Sequence, residues 1–358
     1  MKKLVQFELR KIFSKRLTQI ALLAILLLSA LLGISGYQNK YAFDGRNREG
    51  NGKTAVEIDK EIAARYEGLL TDKKVQQMMS DFAPHSDLHG LNAAYLYHNA
   101  MQSAAFARFS DINGNWNGLR VSDVFGQEEI RIGYIEGWLS TSQNMVKIFL
   151  VLACVTVIMI APVFCGEYNG VENIILTSKY GRTRCGTAKI AASLIAVFGV
   201  TLTTAILNVL PALVLYGGDG LTCSILFAPM TLIEGYIPYN ITCGTLLNYQ
   251  ILLALTGNMS IAGITLLISA VSKNPMAAVV ISGAVYFLPV LLPLSETSPW
   301  SRYISLLPVY HAQFTNLMSV EQMSNGILYA IWAVPAAFAF AGIGMFASRR
   351  VFASHQVS

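Results

Sequence analysis

Charge is what this chain has least of, and the scarcity sets its class. Of 358 residues only 13% are Asp, Glu, Lys or Arg, against roughly 25% in a soluble domain. With 54% hydrophobic residues and a mean hydropathy of +0.48, the sequence is built to meet lipid. Asp, Glu and Arg are missing from the middle of the long apolar runs, which argues against a proton-coupled carrier or an ion relay. Paired acids and His clusters are missing there too, which argues against an intramembrane enzyme. A complete phosphate loop is also lacking. Gly50-Asn-Gly-Lys-Thr54 ends like one, but G-x-x-x-x-G-K-[ST] needs glycine at 47, where Asn47 stands. The chain is therefore expected to be no enzyme and to hold no nucleotide of its own. Histidine is rare: Asp81, His85 and His89 recur every four residues with His98 nearby, but Pro84 and Gly90 break the helix that would align them. No metal is expected. Cysteine numbers five. Cys154, Cys165 and Cys185 lie in or beside apolar runs, whereas Cys223 and Cys243 share one loop and are candidates for a disulfide. A net charge of +5 is too modest to suggest nucleic acid.

What is present is a series of apolar runs, read as an all-α integral membrane protein with six transmembrane helices, because each span must satisfy its own backbone hydrogen bonds. Residues 1–16 form an amphipathic helix, with Val5, Leu9, Ile12 and Phe13 on one face and Lys3, Arg10, Lys11 and Lys15 on the other, suited to the headgroup layer. The first span is 17–36, long enough for the roughly 30 Å hydrocarbon core and read as a retained anchor rather than a cleaved signal. Residues 37–145 are richer in charge and predict a helical extracytoplasmic domain, with helices over 54–79 and 91–109. The further spans are 146–164, 190–216, 246–271, 276–294 and 327–347, followed by a tail at 348–358. Lys and Arg cluster at 1–16, 179–189, 273 and 349–350, while the loops 217–245 and 295–326 carry only Arg302. That bias places both termini in the cytosol of a multi-pass plasma (inner) membrane protein. Both outer loops are too apolar for plain loops and are expected to dip back as re-entrant or interfacial segments. In the last span Ala330, Ala333, Ala337 and Ala341 share one side, which lets another helix come close.

Residues 165–189 lie between two spans on the cytosolic side. Glu167 and Glu172 come early, Lys179, Arg182 and Arg184 late, the order that suits a short helix dipole, and Gly181 offers a stop. This segment, with Glu167, Gly170, Leu176-Thr-Ser-Lys-Tyr-Gly-Arg182 and Lys189, resembles the permease subunits of ABC-2 type transporters. The order of amphipathic helix, first span, outer domain and Glu-containing cytosolic helix is similar too. The chain departs from the plainest members in the size of 37–145 and in the Thr-Ser-Lys-Tyr-Gly-Arg wording. The resemblance implies a coupling helix in which Glu167, Tyr168, Gly170, Glu172, Tyr180, Gly181 and Arg182 contact a separate cytosolic ABC ATPase. It further implies two ATPase copies carrying ATP and Mg, and a homodimer or a heterodimer with a similar permease. Glu167→Lys and Arg182→Glu are expected to uncouple transport from an inserted protein.

The spans carry scattered amides, among them Asn208, Asn248 and Asn258, as candidate polar residues of a translocation path. Interhelical hydrogen bonding is the plainer reading of each. Weakly polar spans suit export of an amphipathic or hydrophobic cargo such as a peptide antibiotic, a drug or a lipid-like molecule. The alternative is a membrane sensor whose outer domain binds a ligand and signals through the cytosolic helix.

Overall fold

The computed structural model describes residues 1–45, 47–83, 99–168, 181–229, 240–291, 300–312 and 323–354. These residues are mostly helical. Five helical stretches among them are long and apolar enough to cross a membrane: Arg16–Gln38, Glu136–Glu167, Thr183–Tyr216, Cys243–Val271 and Ile331–Ser354. A sixth apolar helix, Pro275–Leu291, has 17 residues. The chain is thus a membrane-embedded helical protein.

The bundle helices are α1 (Lys2–Phe13), α2 (Arg16–Gln38), α7 (Glu136–Ile160), α8 (Gly186–Tyr216), α9 (Cys243–Val271), α10 (Pro275–Leu291) and α11 (Met323–Ser354). Between α2 and α7 lies a small folded unit with α3 (Lys53–Tyr66), α4 (Asp72–Asp81), α5 (Ala100–Phe109) and α6 (Val121–Phe125). This unit is not purely helical. Strand β1 (Tyr41–Phe43) pairs antiparallel with β2 (Glu49–Asn51), Ala42 opposite Gly50, and β3 (Gly68–Leu69) pairs with β4 (Arg131–Ile132). The expected helix over 54–79 is broken at 67–71, where Gly68 takes φ +107° and its strand joins β4. Such a φ suits glycine alone, so the chain turns there rather than winding on. Thr71 then caps α4 by accepting the Lys74 N–H at 3.3 Å.

Residues with the right period decide which face of each span turns inward. On α2 Thr18, Ala21, Ile25 and Ser29 form a buried stripe, while Leu17, Ile20, Leu23, Leu27 and Leu31 point away from the protein. In contrast α7 is the central helix, with most of its apolar window buried. It starts ten residues before the expected span, at Glu136 rather than at 146. Among those added residues, the polar Ser142 and Asn144 are satisfied inside the bundle. Ser142 donates to Gln250 Oε1 at 2.9 Å, Gln250 returns a bond to the Ser142 carbonyl at 3.0 Å, and Asn144 reaches the Leu32 carbonyl at 3.3 Å. A polar stretch can run as helix at membrane depth when its groups pair with other helices.

The closest helix pair is α9 with α11. Ala333, Ala337 and Ala341 are buried, in line with the small-residue side read from the sequence; the side chain of Ala330 lies outside the described residues. A Cβ added at Gly344 would stand 2.3 Å from the carbonyl carbon of Gly263, so only glycine lets the two backbones touch. Gly344→Ala is expected to cost about 1–3 kcal/mol by forcing the helices apart. Denaturation of the purified protein in detergent measures it, and a change near zero would show that the crossing yields freely.

The two apolar loops behave differently. Within 217–229, Ile225, Phe227 and Ala228 are buried against the small folded unit, Ser224 donates its N–H to the Arg131 carbonyl at 2.8 Å, and Arg108 reaches the Ala228 carbonyl at 2.9 Å. The apolar side chains of this part are covered by a protein core. Residues 230–239 lie outside the described residues. The turn Pro308–Ala312, by contrast, is inserted among the helices. Val309 packs with Ala153, Val157, Ile261 and Tyr286, and His311 is buried against Gly257.

A buried lysine joint at each end of the central helix

Two lysines, one at either end of α7, each have all three ammonium protons placed. Lys189, at the start of α8, is fully buried. It donates to Glu167 Oε1 at 2.7 Å, to the Val163 carbonyl at 3.1 Å and to Glu8 Oε2 at 3.2 Å. Glu167 also pairs with Lys11, and Lys15 reaches the Pro162 carbonyl at 3.3 Å. Burial lowers the Lys15 pKa to about 8, helped by the positive charges of Lys11 and Lys189. One cation thus ties α1, the end of α7 and the start of α8 into one piece.

Local sequence explains why these groups meet. Beyond α7 the chain winds through tight turns to Cys165–Glu167, and its loosened N–H groups need acceptors. Ser269 Oγ on α9 accepts from Phe164 at 3.0 Å and Cys165 at 3.3 Å, and Tyr168 donates its hydroxyl to the Ala270 carbonyl at 2.8 Å. Phe352 of α11 lies 4.9 Å from the Phe164 ring, centroid to centroid, and against Gly186. Helices α1, α7, α8, α9, α10 and α11 therefore all meet around Cys165–Tyr168 and Gly186–Lys189.

The second joint sits roughly 37 Å away along α7, taking 1.5 Å per residue. Lys40, just after α2, donates to Asp59 Oδ2 at 2.6 Å, Glu136 Oε2 at 2.7 Å and the Tyr134 hydroxyl at 2.9 Å. Asp59 belongs to α3 and Glu136 opens α7, so this joint fixes the small unit to the spans. Burial works against the Lys40 charge, but Glu136, Tyr134 and Asp59 outweigh it and raise its pKa. Burial pushes the Asp59 carboxyl up to about 7, with the Glu136 charge in support and Lys40 opposing. A proton on Asp59 relieves the repulsion between two carboxyls set beside one ammonium. The Ala100 N–H also reaches Asp59 Oδ1 at 3.1 Å, and Lys60 lies 5.8 Å from the Tyr134 ring centroid.

The sign of the pH effect follows. Asp59 binds its proton more tightly folded than unfolded, so its contribution is complete below its ordinary pKa and is lost as pH rises toward about 7. Between about pH 4 and 7 the wild-type thermal midpoint is expected to fall relative to that of Asp59→Asn. Parallel midpoint curves for the two proteins would refute the raised Asp59 pKa.

Of the residues read as coupling contacts, Glu167 is only 6% exposed, and it faces Lys189 and Lys11 rather than solvent. Tyr168 is half-buried and turned toward α9. Gly181 is buried in a single wide turn, Gly181–Cys185. Gly170, Glu172, Tyr180 and the Arg182 side chain lie outside the described residues, as do His85, His89 and His98. Asp81 accepts the Tyr66 hydroxyl at 2.6 Å.

The three amides do not converge on one path. Asn208 faces Ser29 of α2 at 3.4 Å and its own helix at the Thr204 carbonyl, Asn258 accepts from Thr156 of α7 at 3.2 Å, and Asn248 is exposed. Cys223 and Cys243 do come together. The Cys243 N–H donates to the Cys223 carbonyl at 3.0 Å beside the Ser224–Thr242 bridge, but both are free, buried thiols rather than a disulfide.

From sequence Lys189 reads as a marker of sidedness and as the close of the ABC-2-like pattern, and Glu8 carries no assigned role. A signal was available: Glu8 occupies the same helical face as Val5, Leu9 and Ile12, and an acid on the apolar face of an amphipathic helix calls for a buried cation. In comparison with known proteins, the chain matches no family model and no curated sequence.

Proposed function

We propose that the chain is the membrane subunit of an ATP-driven exporter of the ABC-2 type. It crosses the plasma membrane six times, α10 being the fifth crossing, with both termini in the cytosol. A separate ATPase, two copies per assembly of two permeases, binds the segment between Tyr168 and Gly181, and the cargo is an amphipathic or hydrophobic molecule. The observation that carries this reading is the Lys189 joint. Both feet of the segment are locked to each other and to α1, since Glu167 stands just before it and Lys189 just after it. A push delivered at those feet passes into α7 and α8 together as a rigid-body tilt.

The test is sidedness combined with co-purification. Cysteine placed at Glu172 or Tyr180 in a cysteine-free background should resist a membrane-impermeant maleimide in intact cells and react in inverted vesicles. The protein should also retain a soluble ATPase through mild detergent. Labelling from outside would overturn the proposal. The Lys40 joint, which ties the outer unit to α2 and α7, would equally serve a receptor. Absence of any ATPase, together with a ligand-dependent change at the cytosolic segment, would favour that second reading.

A further inference from the structure

A cavity of about 150 Å³ lies between α9, α10, α11 and the Pro308–Ala312 turn. Ile261, Val309 and Phe340 give it apolar walls, and Ser282, Val285 and Pro289 line the α10 side. Two features of that side are unusual for an apolar hole. Ser282 is 2% exposed, and its hydroxyl has no hydrogen-bond partner among the described residues. Pro289 has no N–H, so it cannot give the Val285 carbonyl its normal helical bond. Ser282, Val285 and Pro289 all line the cavity, so the hydroxyl and the carbonyl without its helical bond belong to the same wall.

We propose that this cavity binds a small phenol-like amphiphile, one apolar ring bearing a hydroxyl. Size sets the first limit, since an apolar cavity of about 150 Å³ holds a single benzene-sized ring. Polarity sets the second. A phenol hydroxyl can donate to the Val285 carbonyl while accepting from Ser282, once Ser282 rotates about its side-chain bond. A hydrocarbon tail can do neither. The site does not depend on the chain being a permease.

The full-length protein in detergent is titrated with 4-fluorophenol and, separately, with fluorobenzene, and binding is followed by fluorine NMR. Wild type should bind the phenol about three- to tenfold more tightly than fluorobenzene, the value of one net hydrogen bond. Ser282→Ala should narrow that gap while leaving fluorobenzene unchanged. Ile264→Phe, which fills the cavity from a half-buried wall position, should weaken both ligands. The thermal midpoint of each variant is recorded to show that it is folded. Equal affinity of wild type for the two ligands would mean a plain hydrocarbon pocket, such as one for a lipid tail, and would overturn the proposal. So would phenol binding that both folded variants retain, or no binding to wild type at all.

Discussion

Lys189→Met is expected to lower the unfolding free energy by about 3–5 kcal/mol, the usual cost of removing one partner from a buried ion pair. The size follows from what the ammonium leaves behind. Glu167 still has Lys11, but Lys189 is the one cation paired with Glu8 among the described residues. Glu8 is 6% exposed, so water cannot replace the lost charge without pulling α1 off the bundle. Methionine matches the lysine stem in length, which makes the lost charge rather than lost packing the main term. Adding Glu8→Gln to Lys189→Met should therefore restore part of the stability, because the stranded carboxylate is then gone. The double-mutant cycle, read by denaturation in detergent, isolates that coupling. A cost below about 1 kcal/mol for the single variant, or no rescue by the second, would mean that the joint is not a desolvated ion cluster.

The spans were legible because lipid tolerates little besides apolar side chains on a helix's outer surface, and a run such as Leu17–Gly36 carries that demand openly. Polar groups paired inside the bundle leave no such trace. The first ten residues of α7 read as part of the outer domain, since nothing in Ser140-Thr-Ser-Gln-Asn144 says that Gln250 and the Leu32 carbonyl await them. The apolar residues of Ile225–Phe227 posed the converse problem. Their hydrophobicity was plain, but whether lipid or protein would cover it depends on a neighbour more than a hundred residues distant in the chain. The buried lysines were hidden for the same reason, because sequence gives a lysine's charge but not its acceptors. The alanine side of α11 was legible because small residues act through their own lack of bulk, which needs no partner to be read.

Variants of the segment between the two feet of the Lys189 joint should behave unlike variants of the joint itself. Glu172→Lys and Arg182→Glu are expected to cut export by about tenfold or more, since like charges set against each other at an interface cost several kcal/mol. Their thermal midpoints should stay close to wild type if the segment is a contact surface and not part of the mount. Glu167→Lys cannot serve as a third member of that set. It would bring a new cation against Lys189 and Lys11, both now bonded to the carboxylate it replaces, so it should lose export by losing the fold. The contrast is what matters mechanically. If the joint is the rigid mount and the segment the contact, stability and export separate between the two sets of variants. Measuring both quantities on the same purified and reconstituted proteins decides the matter. Full export by Glu172→Lys and Arg182→Glu would remove the segment from the transport mechanism, and a loss of stability in those two equal to that of Glu167→Lys would erase the distinction between mount and contact.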